Sequence, residues 1–164
     1  MNKTMKNLQD AFAGESQANR KYLAYADKAE LEGYAFIAKL FRAAAEAETL
    51  HAMNHFKNMS GIQSTKENLE DAIAGETHEY KSMYPKMVEE AEEESQEASK
   101  RGFELAMEAE KSHAERYEEA LRTMDEKKDR KVYLCKVCGY IQLDEKPAVC
   151  PICGAKAMAF KDVN

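Results

Sequence analysis

Glu48 and His51 stand three residues apart in a run of helical character, and the same pair returns as Glu110 and His113. Residues three apart share one face of a helix, so each pair offers a carboxylate and an imidazole on the same side. One such pair arises easily by chance; its return constrains the fold. A bundle core that takes Glu-x-x-His from each of two helices and a Glu from each of two others can hold a pair of metal ions. The rest of the chain must then supply two more helices.

It does. Residues 4–31 carry Leu8, Phe12, Tyr22, Leu23 and Ala26 near helical spacing, and Gly33 is a natural left-handed stop. A second helix is expected from Tyr34 to about Met59, ended by Ser60-Gly61. A third runs to about Glu93, with Thr65 as its cap and a kink at Pro85. A fourth starts near Ser95 and ends near Met124, followed by a charged linker. The halves repeat. Asp10-Ala-Phe-Ala-Gly-Glu-Ser16 matches Asp71-Ala-Ile-Ala-Gly-Glu-Thr77, 61 positions on, whereas Glu48 and His51 match Glu110 and His113, 62 positions on. The second half therefore carries one inserted residue. The midpoint of Glu15 and Glu48 falls at the turn near Glu32, and that of Glu76 and Glu110 at Glu93. Antiparallel helices joined there bring each pair to one height.

Composition narrows the function. Charged residues make up 33%, Trp is absent, and Gly and Pro are scarce, as suits long helices. A net charge of -6 leaves no basic field for nucleic acid. No signal peptide and no membrane-length apolar run stands out, so a cytoplasmic protein is expected. All four cysteines, as Cys135-x-x-Cys138 and Cys150-x-x-Cys153, lie near the C-terminus. In a reducing compartment they read as a tetrahedral metal site for zinc or one iron.

The candidate ligands of the bundle are Glu15, Glu48, His51, Glu76, Glu79, Glu110 and His113. Glu79 has no counterpart, because Ala18 occupies its place in the first half. This fifth carboxylate breaks the symmetry and favours a ferric pair. Tyr22 and Tyr84 share the carboxylate faces and are candidate hydrogen-bonding partners. His55 could support the site from one turn further on, while His78 is out of phase.

On Gly14-Glu15-Ser-Gln-Ala, Glu48-x-x-His51, Gly75-Glu76-x-x-Glu79, Met83-Tyr84-Pro85, Glu110-x-x-His113 and the two cysteine knuckles, the chain resembles the rubrerythrin family over nearly its whole length. The resemblance implies an all-α, ferritin-like four-helix bundle (1–126), a linker (127–131) and a rubredoxin-like domain (132–164). It implies two non-haem irons in the bundle and one iron on four cysteines, with zinc possible in either site. The implied activity is reduction of hydrogen peroxide to water in protection against oxidative stress. Electrons would come from NAD(P)H through a separate reductase or rubredoxin and enter at the Fe(Cys)4 centre. The family also implies a homodimer, and alternation of one iron between the residues matching Glu79 and His51. A ferroxidase on the same bundle and a zinc-stabilised scaffold are the competing readings.

One feature departs from that plan. A ferritin-like bundle needs a long crossover between its second and third helices, and about five residues near Ser60–Ser64 reach at most roughly 18 Å. A 25-residue helix is about 37 Å long. A domain-swapped dimer is therefore expected, with the first hairpin of one chain on the second hairpin of its partner.

Overall fold

The computed structural model describes residues 2–163, which form two compact units that divide between Gln63 and Ser64. The first is a helical hairpin of α1 (Lys3–Leu31) and α2 (Ala35–Asn58). The Asn2 side chain accepts the Met5 N–H at 2.8 Å and caps α1. At the other end Gly33 takes φ +84°, the left-handed turn expected of it. Ala26, Ala29, Ala38, Ala45 and Ala52 are the buried residues of this hairpin, and their small side chains let the helices approach closely. Asn19 bridges the two helices, donating from Nδ2 to the Ala45 carbonyl at 2.6 Å and to Thr49 Oγ1 at 2.8 Å. Phe36, Leu40 and Leu50 remain exposed.

The second unit repeats this hairpin and adds a small sheet. Ser64, not Thr65, caps its first helix. Glu67 lies three residues on and returns a bond to the Ser64 N–H, completing a reciprocal cap that Thr65 has no partner to form. Then come α3 (Thr65–His78), a π-helical turn (Glu79–Met83), α4 (Tyr84–Glu93) and α5 (Glu97–Thr123). The kink expected at Pro85 is realised as this wide turn, and Pro85 sits in the first turn of α4, where its missing N–H is tolerated.

The π-helical turn lies between the segment that repeats at 61 and the segment that repeats at 62, and a π-turn is one extra residue in a helix. The ring pairs on either side bear this out. Tyr22 packs on Phe41 at 6.1 Å and 33°, and Tyr84, 62 positions on from Tyr22, packs on Phe103 at 6.3 Å and 39°. The extra residue is thus absorbed before Tyr84, and the two hairpins coincide again.

A short 3-10 turn, Met124–Glu126, leads to three antiparallel strands, β1 (Val132–Cys135), β2 (Ile141–Leu143) and β3 (Phe160–Val163), in the order β2-β1-β3. Their core is Tyr133, Tyr140 and Phe160 with Cys135 and Cys150. After each Cys-x-x-Cys a glycine turns left-handed, Gly139 at φ +86° and Gly154 at +75°. Each donates its N–H at 3.0 Å to the carbonyl of the first cysteine of its pair.

Candidate metal centres

Each hairpin assembles one of two matching triplets. In the first unit Glu15 on α1 meets Glu48 and His51 on α2. In the second Glu76 on α3 meets Glu110 and His113 on α5. Within each triplet one ligand atom per residue lies within 4.8 Å of the others. His51 Nδ1 lies 3.0 Å from Glu48 and 3.9 Å from Glu15; His113 Nδ1 lies 2.6 Å from Glu110 and 3.7 Å from Glu76. The repeat in the sequence is thus a repeat in geometry, with the imidazole Nδ1 turned to the carboxylates each time.

The electrostatics show what such a cluster lacks. The Glu48 hydrogen bond is the main reason that the Glu15 carboxyl is raised above its ordinary value, with burial adding to it. Glu48 is correspondingly lowered by Glu15 and then by His51. In the second unit burial, then the Glu110 hydrogen bond and charge, push Glu76 up to about 7. His113 Nε2 lies 2.8 Å from the Gly139 carbonyl, which can only accept, so Nε2 carries a proton. In the neutral ring that leaves the Nδ1 lone pair facing two carboxylates. A cation between them satisfies all three groups, and imidazole with carboxylates suits iron.

Glu79 opens the π-helical turn and stands outside the triplet, close enough for its charge to raise Glu76. Tyr84 is half-buried, and its hydroxyl is held protonated by burial and by Glu110, Glu79 and Glu76. Tyr22 is half-buried on α1 beside Tyr25 and Phe41. His55 is near enough to Glu15 to oppose its rise, whereas His78 is exposed. Tyr117 was not among the residues expected here. Burial, then the charges of Glu76 and Glu110, keep its hydroxyl protonated, which places it within electrostatic reach of the second triplet. Its position seven residues after Glu110 and four after His113 was the available signal.

Cys135, Cys138, Cys150 and Cys153 converge in the small sheet. The Cys135 and Cys153 sulfurs are 3.7 Å apart and those of Cys138 and Cys150 3.6 Å. A tetrahedron with metal–sulfur bonds of about 2.3 Å has edges near 3.8 Å, so the cage already fits zinc or iron. Burial would push the Cys135 thiol up, but the backbone N–H groups of Cys138 and Val137 outweigh it and bring it to about 7. Burial raises Cys138 well above its ordinary value. Such unequal thiols lose their remaining protons to a bound cation.

A family model described as Rubrerythrin matches residues 6–121, and one described as Rubrerythrin, rubredoxin-like domain, matches residues 133–161. Rubrerythrin-2 of Clostridium acetobutylicum is 39% identical, over 94% of this chain and 93% of its own. Nigerythrin of Nitratidesulfovibrio vulgaris is 37% identical, over 92% of this chain and 81% of its own. The fully reduced, all-ferrous structure of nigerythrin superposes with a TM-score of 0.61 at 34% identity, covering 99% of this chain and 88% of that one.

Proposed function

Because the chain belongs to the rubrerythrin family, an iron-binding oxidoreductase family with a rubredoxin-like domain, we propose that it reduces hydrogen peroxide to water. Peroxide takes up two electrons and two protons, its O–O bond breaks, and two waters leave. The iron pair would supply the two electrons at the reacting oxygens, and the iron on Cys135, Cys138, Cys150 and Cys153 would relay them singly from NAD(P)H through a separate reductase or rubredoxin.

The chain's own groups do the rest. Glu15, Glu48 and His51 in the first unit, and Glu76, Glu110 and His113 in the second, would each supply a carboxylate–imidazole set for iron, with Glu79 as the extra carboxylate. Nε2–H of His113, fixed on the Gly139 carbonyl at 2.8 Å, keeps Nδ1 aimed inward, where the neutral ring offers its lone pair. Tyr84 and Tyr117 stay protonated near the carboxylates of the second triplet and could donate hydrogen bonds to peroxide; Tyr22 would have the corresponding role in the first unit. The observation that carries the reading is the His113–Gly139 bond. It ties a ligand of the carboxylate site to the residue that follows Cys138, so the two metal sites share a contact within one unit.

We propose the domains as 1–126, 127–131 and 132–164, in a cytoplasmic homodimer. Among the described residues no helix is long and apolar enough to cross a membrane. The homodimer is domain-swapped in this proposal. The link of residues 59–64 is too short to span α2, and the exposed Phe36, Leu40 and Leu50 on α2 are a surface for the partner's second hairpin. Light scattering at the mass of a monomer would exclude it.

Stopped-flow mixing of fully reduced, iron-loaded protein with peroxide and, separately, with oxygen tests the activity. Peroxide is expected to oxidise the carboxylate site much faster than oxygen does. Equal rates, or faster oxidation by oxygen, would favour the ferroxidase reading instead.

A further inference from the structure

The chain leaves α5 through Lys127, left-handed at φ +48°, and then meets Arg130. Arg130 reaches two ways. Its Nη1 donates to Glu119 Oε1 at 2.5 Å, on the last turns of α5. Its Nε and Nη2 fork onto Asp144, just past β2, at 3.1 and 2.5 Å. Glu119 is itself steadied from the other side, where its second oxygen accepts Arg116 Nη1 at 3.0 Å. Asp144 is steadied by its backbone, whose N–H donates to the Lys131 carbonyl at 2.8 Å. One guanidinium therefore joins the long helix, the linker and the four-cysteine sheet.

These residues continue a stripe. Ala109, Ser112, His113, Arg116 and Glu119 recur at three- and four-residue spacing along one side of α5. Ala109 lies under Gly139, where a Cβ would come within 3.8 Å. Ser112 Oγ donates to the Ile141 carbonyl at 3.5 Å, a long bond, and His113 Nε2 to Gly139 at 2.8 Å. The upper contacts of the stripe are thus one weak hydroxyl bond, one imidazole bond and a small apolar touch. Its lower end is a three-way charged clamp. A planar guanidinium sets the angle between two carboxylates as well as their distance, which an ammonium does not.

We propose that Arg130 is the positioning residue that seats the four-cysteine sheet on α5, and that this seating keeps His113 Nε2–H on the Gly139 carbonyl and so aims Nδ1 at Glu76 and Glu110. Its consequence for electron delivery rests on the peroxidase reading above; the seating itself does not.

The test uses the full-length protein in two forms. With zinc in its metal sites the protein is diamagnetic, and the His113 ring proton can be followed by long-range nitrogen-15 NMR. The wild type is expected to show a slowly exchanging Nε2–H. Arg130→Gln should speed that exchange by about tenfold, the factor carried by one charge-assisted contact. Arg130→Lys, which keeps the charge without the fork, should fall between. Asp144→Asn should act in the same direction and serves as the second variant if Arg130→Gln loses the visible spectrum of its Fe(Cys)4 site. In the iron-loaded protein, Arg130→Gln should slow electron passage from the four-cysteine site to the carboxylate site by a similar factor. Oxidation of the fully reduced carboxylate site by peroxide, which does not draw on the four-cysteine site, should slow by less than electron passage does. Unchanged ring-proton exchange in both folded variants overturns the seating role and leaves the peroxidase reading standing. A wild type that does not react with peroxide overturns that reading and leaves the ring-proton result in force.

Discussion

The carboxylate site should weaken the metal-free protein in a pH-dependent way, and Glu76→Gln should remove the weakness. Glu76 is pushed up to about 7 from an ordinary 4.5, first by burial and then by Glu110. A carboxyl raised on folding binds its proton more tightly in the folded chain. Its stabilisation is complete below about 4.5 and is lost as the pH rises through about 7. At full strength the difference amounts to roughly 3 kcal/mol. The side chain retains 20% of its exposure, and solvent screening reduces the effect to about 1–2 kcal/mol. Gln is nearly isosteric with the protonated acid, donates to Glu110 and does not titrate. The assay is urea unfolding between pH 5 and pH 8 at one protein concentration, with zinc kept in the four-cysteine site and the carboxylate site metal-free. Wild type should lose about 1–2 kcal/mol more than the variant over that range, a midpoint change of roughly 0.5–1 M. Iron added at pH 7 should stabilise wild type more than the variant, which lacks one carboxylate of the second triplet. Identical pH dependence in the two proteins would refute the claim that Glu76 is strained when ionised.

Deleting Ser82 should convert the π-helical turn to plain α-helix and leave the helical circular dichroism unchanged, with Glu76 and Tyr84 spaced as Glu15 and Tyr22 are and Glu79 alone displaced; peroxide turnover should fall as it does in Glu79→Ala, and retention of the wild-type rate would count against a role for the wide turn in placing Glu79. Glu79→Ala should impair peroxide turnover with the bundle still folded, as read by stopped-flow and thermal melting; unchanged kinetics would remove its special role. Tyr117→Phe should slow peroxide reduction by about tenfold or more, within the range for a lost proton or hydrogen-bond donor, while the melting temperature moves little.

The helices and the two triplets were legible because they rest on short-range spacing. Glu48 and His51 share a face wherever a helix forms, and the turns at Gly33 and Ser95 set the heights of Glu15 and Glu76. The extra residue was legible as a count. Its shape was not, because a kink at Pro85 and a wide turn before it satisfy the same arithmetic. Ser64 and Thr65 are equally good caps in isolation; Glu67, three after Ser64, decided between them. Tyr117 was hidden among the apolar positions of α5, since a tyrosine at helical spacing packs and hydrogen-bonds with the same side chain. The clamp of Arg130, Glu119 and Asp144 was out of reach. Its partners lie 11 and 14 residues away across a linker, and nothing in a charged run says which charge folds back.

The wide turn at Glu79–Met83 bears on how such a site could have diverged from a symmetric ancestor. A residue added inside an ordinary helix rotates everything beyond it by about 100°, so one insertion would scramble a whole packing face. Added as a π-helical turn, it is local: Tyr84 still meets Phe103 as Tyr22 meets Phe41. One copy of a duplicated hairpin could then acquire a new side chain at one height without moving the rest. Asymmetry between the halves required no redesign of either end.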